Sequence, residues 1–414
     1  MQRRQWLRSA AMLLGGFPAF LIHPLAASVR DEFPDGPDDD YSPMPPAYPR
    51  VKPHATIAWS GLRVQAVALS ADGSFAATCV EGQKVFKVWD PADGRERITS
   101  ALHPGPIHAL AFYPDGTSIA STLSRGFIGP GDTGDPSSVR ISDTKSGQGR
   151  RDLHGLDGYV KGLAISTDGL AVAIDTHEIV RAWKVMDGAE IYTLKGPMNR
   201  RHGGGFEAVQ CGFNISADGY RAASLSTDAS MSTDAAVEGE VHPNHTVNLW
   251  DFHLGTCRVL NAKSGPLRSV ALSPDGSRVL LASTDQHIMA FDFVSGRRVF
   301  SFYPSKAGGG VGPYLLAFSP DGTRFVIGKK DGVLRMYKSM EGRHVDTIRG
   351  PRTFIRAVAF LPDRLRVLSG GYAETGAKRR AGEAATMNYE PLWVWDAVYL
   401  RSTAGIDGFR QPRS

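Results

Sequence analysis

Along most of this chain, short apolar runs of strand-forming residues alternate with polar clusters that end in aspartate and glycine. One phrase recurs seven times: Ala66–Gly73 (AVALSADG), Ala109–Gly116 (ALAFYPDG), Gly162–Gly169 (GLAISTDG), Cys211–Gly219 (CGFNISADG), Ser269–Gly276 (SVALSPDG), Tyr314–Gly322 (YLLAFSPDG) and Ala357–Asp363 (AVAFLPD). The turn aspartates Asp72, Asp115, Asp168, Asp218, Asp275, Asp321 and Asp363 stand 43, 53, 50, 57, 46 and 42 residues apart. A period in that range indicates one supersecondary unit copied and stacked.

The fifth copy shows the unit. Ser269–Ser273 is a short apolar run suited to a strand buried on both faces. Ser273-Pro274-Asp275-Gly276 then makes a tight turn. Proline presets φ there, aspartate bonds its own backbone, and glycine takes the left-handed conformation. Arg278–Ala282, His287–Phe293 and Arg297–Phe302 read as three further strands, separated by Ser283–Gln286 and Ser295-Gly296. Four antiparallel strands per copy make the blade of a β-propeller.

The third strand carries its own signature: Val88-Trp89-Asp90, Ile141-Ser142-Asp143, Ala182-Trp183-Lys184, Leu249-Trp250-Asp251, Ala290-Phe291-Asp292, Met336-Tyr337-Lys338 and Val394-Trp395-Asp396. With this second signature the chain resembles the WD40-repeat family over roughly residues 55–400, as a set of degenerate repeats. The resemblance implies an all-β fold, a seven-bladed β-propeller of four-stranded antiparallel blades. The family's Gly-His pair before the first strand is missing from every copy, and with it most of the His–Ser/Thr–Asp–Trp hydrogen-bond tetrad. Asp285 and Asp331 sit at the tetrad aspartate's position, with no histidine partner evident. Packing of Trp, Phe and aliphatic side chains is expected to hold the blades instead. Ala55–Trp59 is expected to supply the outer strand of the last blade and close the ring, with Val398–Ser402 as the competing candidate.

The N-terminus reads as a targeting segment. Arg3-Arg4-Gln5-Trp6-Leu7-Arg8 resembles the twin-arginine motif of bacterial export signals, and an uncharged stretch follows from Ser9 to Ala27. Residues 1–28 are therefore a signal peptide or an uncleaved anchor, although Pro18 and His23 weigh against a membrane span. Either way the remainder is expected outside the cytoplasm, in the periplasm or cell envelope. Residues 29–53 form an acidic, proline-rich linker, residues 54–402 the propeller and residues 403–414 a tail. Net charge is +5, falling to +2 without residues 1–28, which gives no reason to invoke nucleic acid. Cys79, Cys211 and Cys257 fall in strands of different blades and read as free thiols rather than a disulfide framework.

Function is sought where the copies differ. Ser124–Ser138, Thr227–His245 and Tyr372–Pro391 lengthen the link between second and third strands. Gly196–Phe206 and Pro304–Pro313 lengthen the link from one blade to the next. Both kinds of link emerge on one face of a propeller, where loops on a rigid scaffold commonly bind. The expected partner-binding residues are Arg200, Arg201, His202, Lys329, Lys330, Lys378, Arg379 and Arg380, set against the acidic residues Asp228, Asp234, Glu238 and Glu240. A mixed-charge rim favours a protein or carbohydrate partner over a polyanion.

The chemistry-bearing motifs are few. His242 and His245 near Glu238 and Glu240 lack a metal-site pattern, and His103, His108, His154, His177, His287 and His344 form no motif. No Gly-x-Ser-x-Gly, P-loop or Rossmann fingerprint occurs. The reading is a monomeric, non-enzymatic interaction scaffold for a protein partner, with no cofactor, no metal and membrane contact only through the N-terminal segment if that segment is uncleaved. The alternative is a small-ligand-binding or enzymatic propeller that uses its central funnel.

Overall fold

The computed structural model describes residues 55–57, 64–80, 82–123, 138–156, 158, 160–197, 212–227, 245–262, 264, 267–304, 315–328, 333–349, 354–360, 366–374, 387–389 and 392–396. Within them every regular element is a strand. Six sheets of four antiparallel strands follow one another, each with its strands in sequence order. They span residues 64–99, 110–153, 160–195, 213–260, 267–302 and 315–349, and are termed blades 1 to 6. The first strand of each blade packs against the first strand of the next. Phe354–Phe360, in a further sheet, touches the first strand of blade 6 on one side and Val64–Leu69 of blade 1 on the other. The fold is an all-β propeller.

Burial explains the strand order. The second strands Ala76–Val80, Ser118–Leu123 and Leu170–Asp175 are buried at every position, as their nearly unbroken apolar and small-residue runs require. Outermost strands such as Glu96–Thr99 and Thr256–Leu260 are mostly exposed and carry charge, which blunts a free edge. The core lies between blades. Leu170, Val172, Ile174, Val180 and Ala182 of blade 3 pack with Ala222 and Trp250 of blade 4. Ala76, Val80 and Trp89 of blade 1 likewise pack with Leu368 and Val394 of the further sheet.

The turn serine has a structural reason. Ser70, Ser216, Ser273 and Ser319 each donate from Oγ to the turn aspartate two residues on, at 2.5–2.6 Å. The same oxygens accept the backbone N–H of Phe75, Arg221, Arg278 and Arg324 at 2.9–3.0 Å. One buried hydroxyl thus satisfies both the carboxylate and the strand that follows, using its donor and acceptor together. Gly276 closes such a turn at φ 67°, where its lack of a side chain is needed.

Blade 5 matches the sequence reading to within two residues, with strands Leu267–Leu272, Arg278–Ser283, Ile288–Asp292 and Arg298–Phe302. The last repeat differs from its siblings. Its sheet has five strands, Phe354–Phe360, Arg366–Glu374, Met387–Tyr389, Leu392–Asp396 and Ala55–Ile57. Ala55 pairs with Val394 and Ile57 with Leu392. The long second strand runs on into the segment read as the Tyr372–Pro391 loop, where Tyr372, Ala373 and Glu374 pair with Tyr389, Asn388 and Met387. That insertion therefore begins as a two-stranded ribbon.

Side-chain hydrogen bonds also tie strands within the blades, which corrects the expectation of packing alone. Trp89 Nε1 donates to Thr78 Oγ1 at 2.8 Å and Trp250 Nε1 to Ser224 Oγ at 3.0 Å. His103, read as part of no motif, precedes the first strand of blade 2 and is buried, with Nε2 2.8 Å from Ser121 Oγ. Asp285 instead takes bonds from within its own turn, from the Ser283 hydroxyl and the His287 N–H. Asp331 lies outside the described residues.

Candidate functional site on the connection face

Strand direction divides the propeller into two faces. The Ser-x-Asp-Gly turns and the glycine turns between third and fourth strands lie on one, here the turn face. The links from second to third strand and from blade to blade lie on the other, the connection face. The five lengthened links all root there, at Leu123 and Ser138, at Gly196, at Thr227 and His245, at Pro304, and at Glu374 and Met387. Arg200, Arg201, His202, Lys329, Lys330, Lys378, Arg379 and Arg380 lie outside the described residues.

The described part of this face has a polar series that the sequence reading missed. Where the first strand pairs with the second, the register slips between Val64 and Ala66, Val160 and Gly162, Leu267 and Ser269, and Ile355 and Ala357. Each slip is a bulge that leaves one residue out of the ladder and re-aims its side chain. Those whose side chains are described are Gln65, Lys161 and Arg268. In blade 2 the corresponding residue is His108, exposed, with its N–H and that of Ala109 both bonded to Thr122 Oγ1 at 2.9 and 3.2 Å. Four apolar inner strands thus begin, on the connection face, with the polar residues Gln65, His108, Lys161 and Arg268.

One of them anchors a buried polar junction. Lys161 Nζ donates to Glu178 Oε1, and Glu178 is 1 % exposed. Asn248 Nδ2, from the third strand of blade 4, donates to Glu178 Oε2 at 3.1 Å, while Asn248 Oδ1 has no partner. Glu178 holds φ at 59°, a conformation costly for a residue with a Cβ. Its carbonyl accepts Gly196 N–H at 2.8 Å, at the root of the Gly196–Phe206 link. A Cβ at Gly196 would lie 2.6 Å from the Trp250 ring, so that root is pressed against the blade. Lys161 also reaches the Leu225 carbonyl at 3.5 Å, and Leu225 and Asn248 flank the Thr227–His245 link. One charged pair of blade 3, bonded across to Asn248 and Leu225 of blade 4, therefore ties together the bases of two lengthened links.

A second junction joins blades 1 and 2. His103 N–H donates to the Lys84 carbonyl at 2.7 Å, and its ring meets Phe86 edge-on. Burial lowers its basicity, so that the neutral ring is favoured. Arg140, one strand beyond Ser121, grips Asp152 with two bonds of 2.8 and 2.9 Å, which hold that carboxyl below its usual range.

These junctions orient loops, and the one hydroxyl–imidazole bond among them, His103 to Ser121, is enclosed in the blade. Among the described residues no three His, Cys, Asp or Glu side chains stand close enough to hold a metal ion. Cys79 and Cys257 are free thiols in blades 1 and 4, each pushed up to about 12 by burial and so unreactive at neutral pH; Cys211 lies outside the described residues. No helix of the described residues is long and apolar enough to cross a membrane. No family model matches the chain, and no curated protein is significantly similar to it.

Proposed function

We propose that this chain is a WD40-like, seven-bladed propeller acting as a non-enzymatic scaffold that offers its connection face to a protein partner. The observation that carries the reading is the Lys161–Glu178–Asn248 junction, in which a buried carboxylate paired with a partly exposed lysine ties together the bases of two lengthened links. Such a pair contributes little net stability. It is more readily understood as placing loops for recognition. The series Gln65, His108, Lys161 and Arg268 adds a polar inner border to that face.

The pairing of Ala55–Ile57 with Leu392–Asp396 supports reading the five-stranded sheet as the seventh blade, closed by the N-terminal strand. Contact between Phe354–Phe360 and both neighbouring blades supports the same count. The twin-arginine-like start supports export to the periplasm or cell envelope.

The test is capture from envelope extract by the full chain, compared with a variant carrying Arg200, Arg201, Lys378, Arg379 and Arg380 as Ser. A partner retained by the first and lost by the second supports the scaffold. Equal retention, or no partner for either, defeats it and directs attention to small ligands of the central funnel.

A further inference from the structure

Blade 2 brings small residues to its junction with blade 1. Where the other blades end the third strand on a ring, as at Trp89, Trp183, Trp250, Phe291 and Tyr337, blade 2 has Ser142. Those rings serve the contact with the preceding blade. Trp183 packs with Val139 and Ile141 of blade 2, Trp250 with Leu170 and Val172 of blade 3, and Tyr337 with Leu280 and Ala290 of blade 5. Ser142 and Thr144 are both buried, and neither hydroxyl has a hydrogen-bond partner among the described residues.

The backbone identifies the position of Thr144 in other blades. Its N–H bonds the carbonyl of Thr117, the residue after the turn glycine, as Phe252 does with Tyr220, Phe293 with Ser277 and Ser339 with Thr323. Between blades 3 and 4, Phe252 stacks on Tyr192 at 4.2 Å. Between blades 4 and 5, the Arg221 guanidinium lies 5.0 Å from the centre of the Phe293 ring. Between blades 5 and 6 the residue is the small Ser339, and there Arg278 Nη1 reaches across to donate to its carbonyl at 2.7 Å. Blade 1 offers blade 2 none of these. Phe75 stands where Arg221 and Arg278 do, each with its N–H bonded to the turn serine, and Ile98 stands where Tyr192 does.

The result is a groove of about 400 Å³ on the turn face, lined by Phe75, Asp90, Arg97 and Ile98 of blade 1 and by Thr144 and Lys145 of blade 2. Its hydrogen-bonding capacity is one-sided. Asp90 accepts the Ala92 N–H at 2.9 Å on one oxygen and Arg97 on the other. Neighbouring acids are also answered, Asp72 by the Ser70 and Ser74 hydroxyls and Asp143 by Arg150. Arg97 spends one of its five N–H groups on Asp90. Lys145 has no ion-pair partner among the described residues, and Thr144 Oγ1 makes no bond. Unspent donors therefore stand beside an apolar wall of Phe75 and Ile98. A ligand that answers both has a flat apolar body, like the rings at the other junctions, and an anionic acceptor group.

We infer that the groove between blades 1 and 2 binds a small aromatic carboxylate, with its ring against Phe75, Ile98 and Thr144 and its carboxylate toward Lys145 and Arg97. The site lies on the face opposite the one offered to a protein partner and does not depend on the scaffold reading.

The test is magnetic resonance of the full chain with labelled isoleucine and threonine methyl groups, titrated with phenylacetate, phenylacetamide and acetate. Phenylacetate is expected to shift the Ile98 and Thr144 methyl signals saturably, and to bind roughly tenfold more tightly than the amide. Acetate, which has no ring, is expected to leave them in place. Thr144→Phe supplies the ring that blades 4 and 5 carry and is expected to abolish the shift at Ile98. Lys145→Gln, at an exposed position, is expected to remove most of the preference for acid over amide, and it decides the matter if the first variant folds poorly. An acetylated Gly-Gly-Phe peptide presents the same ring and carboxylate at a chain end. Tighter binding than that of phenylacetate makes a peptide terminus the source of the ligand, and weaker binding a free acid. No shift at Ile98 and Thr144, equal affinity for acid and amide, or a preference unchanged in Lys145→Gln overturns the inference.

Discussion

Trp250 and Ser224 are joined across two strands of blade 4 by an indole N–H to hydroxyl bond of 3.0 Å, with both side chains fully enclosed. The Trp250 ring also fills the space between blades 3 and 4, in the cluster that holds Leu170, Val172 and Ile174. Ser224→Ala leaves the buried indole N–H without an acceptor, at a cost of about 1–3 kcal/mol. The check is a shift of the denaturant midpoint at unchanged slope. No shift would mean that packing alone holds the blade.

Glu178 offers a sharper test, because its carboxylate and its backbone act in opposite directions. Glu178→Ala removes the partner of Lys161 and Asn248, at a cost of about 3 kcal/mol, less where Lys161 regains water. Glu178→Gly loses the same contacts but relieves the φ of 59°. It is expected to be more stable than the alanine variant by roughly 1 kcal/mol. Equal midpoints for the two variants would show that the backbone carries no strain. In the scaffold reading, either variant also weakens partner capture, since two links lose a common anchor.

Acid should destabilise the fold in two steps. Burial holds His103 and His287 below the ordinary 6.5, so both favour the neutral ring when folded. Their contribution is complete above 6.5 and declines as pH falls below it, because the unfolded chain takes up the protons first. Asp152, held below 3.8 chiefly by Arg140, contributes fully above 3.8 and loses this as pH falls through its lower folded value. Replacing both histidines with Gln should flatten the upper step and leave the lower one. Unfolding midpoints measured between pH 8 and pH 3 decide it.

Gly162 and Gly255 separate two costs of adding a methyl group. At Gly255, with φ 63° and nothing within 4 Å, alanine meets only backbone strain of about 1–2 kcal/mol. At Gly162 a Cβ would lie 2.2 Å from Phe213 Cβ, so blade 4 must move away from blade 3. Gly162→Ala is expected to be the more destabilising, and to disturb near-ultraviolet dichroism where Gly255→Ala does not.

Much of this architecture was legible because its signals are local. A serine that bonds both an aspartate and the next strand, followed by a glycine at positive φ, is written in four or five adjacent residues. Non-local pairings were harder to read. His103 reaches Ser121 over eighteen residues without the Gly-His spelling, and so passed as an isolated histidine. The bulge residues Gln65, Lys161 and Arg268 sit one position before each recurring phrase. Reading each strand from the start of its phrase made the inner strands look uniformly apolar. The charges expected to bind a partner, Arg200 to His202, Lys329-Lys330 and Lys378 to Arg380, lie outside the described residues. The site is therefore known from the roots of its loops.

The central claim is that the connection face receives a protein. A photo-crosslinking amino acid at His108, exposed on that face, tests it beside the same probe at Ala92, exposed on the turn face of blade 1. After irradiation of the full chain in envelope extract, the account predicts a discrete protein adduct at position 108 and none at position 92. The same adduct at both positions, or at 92 alone, would contradict it.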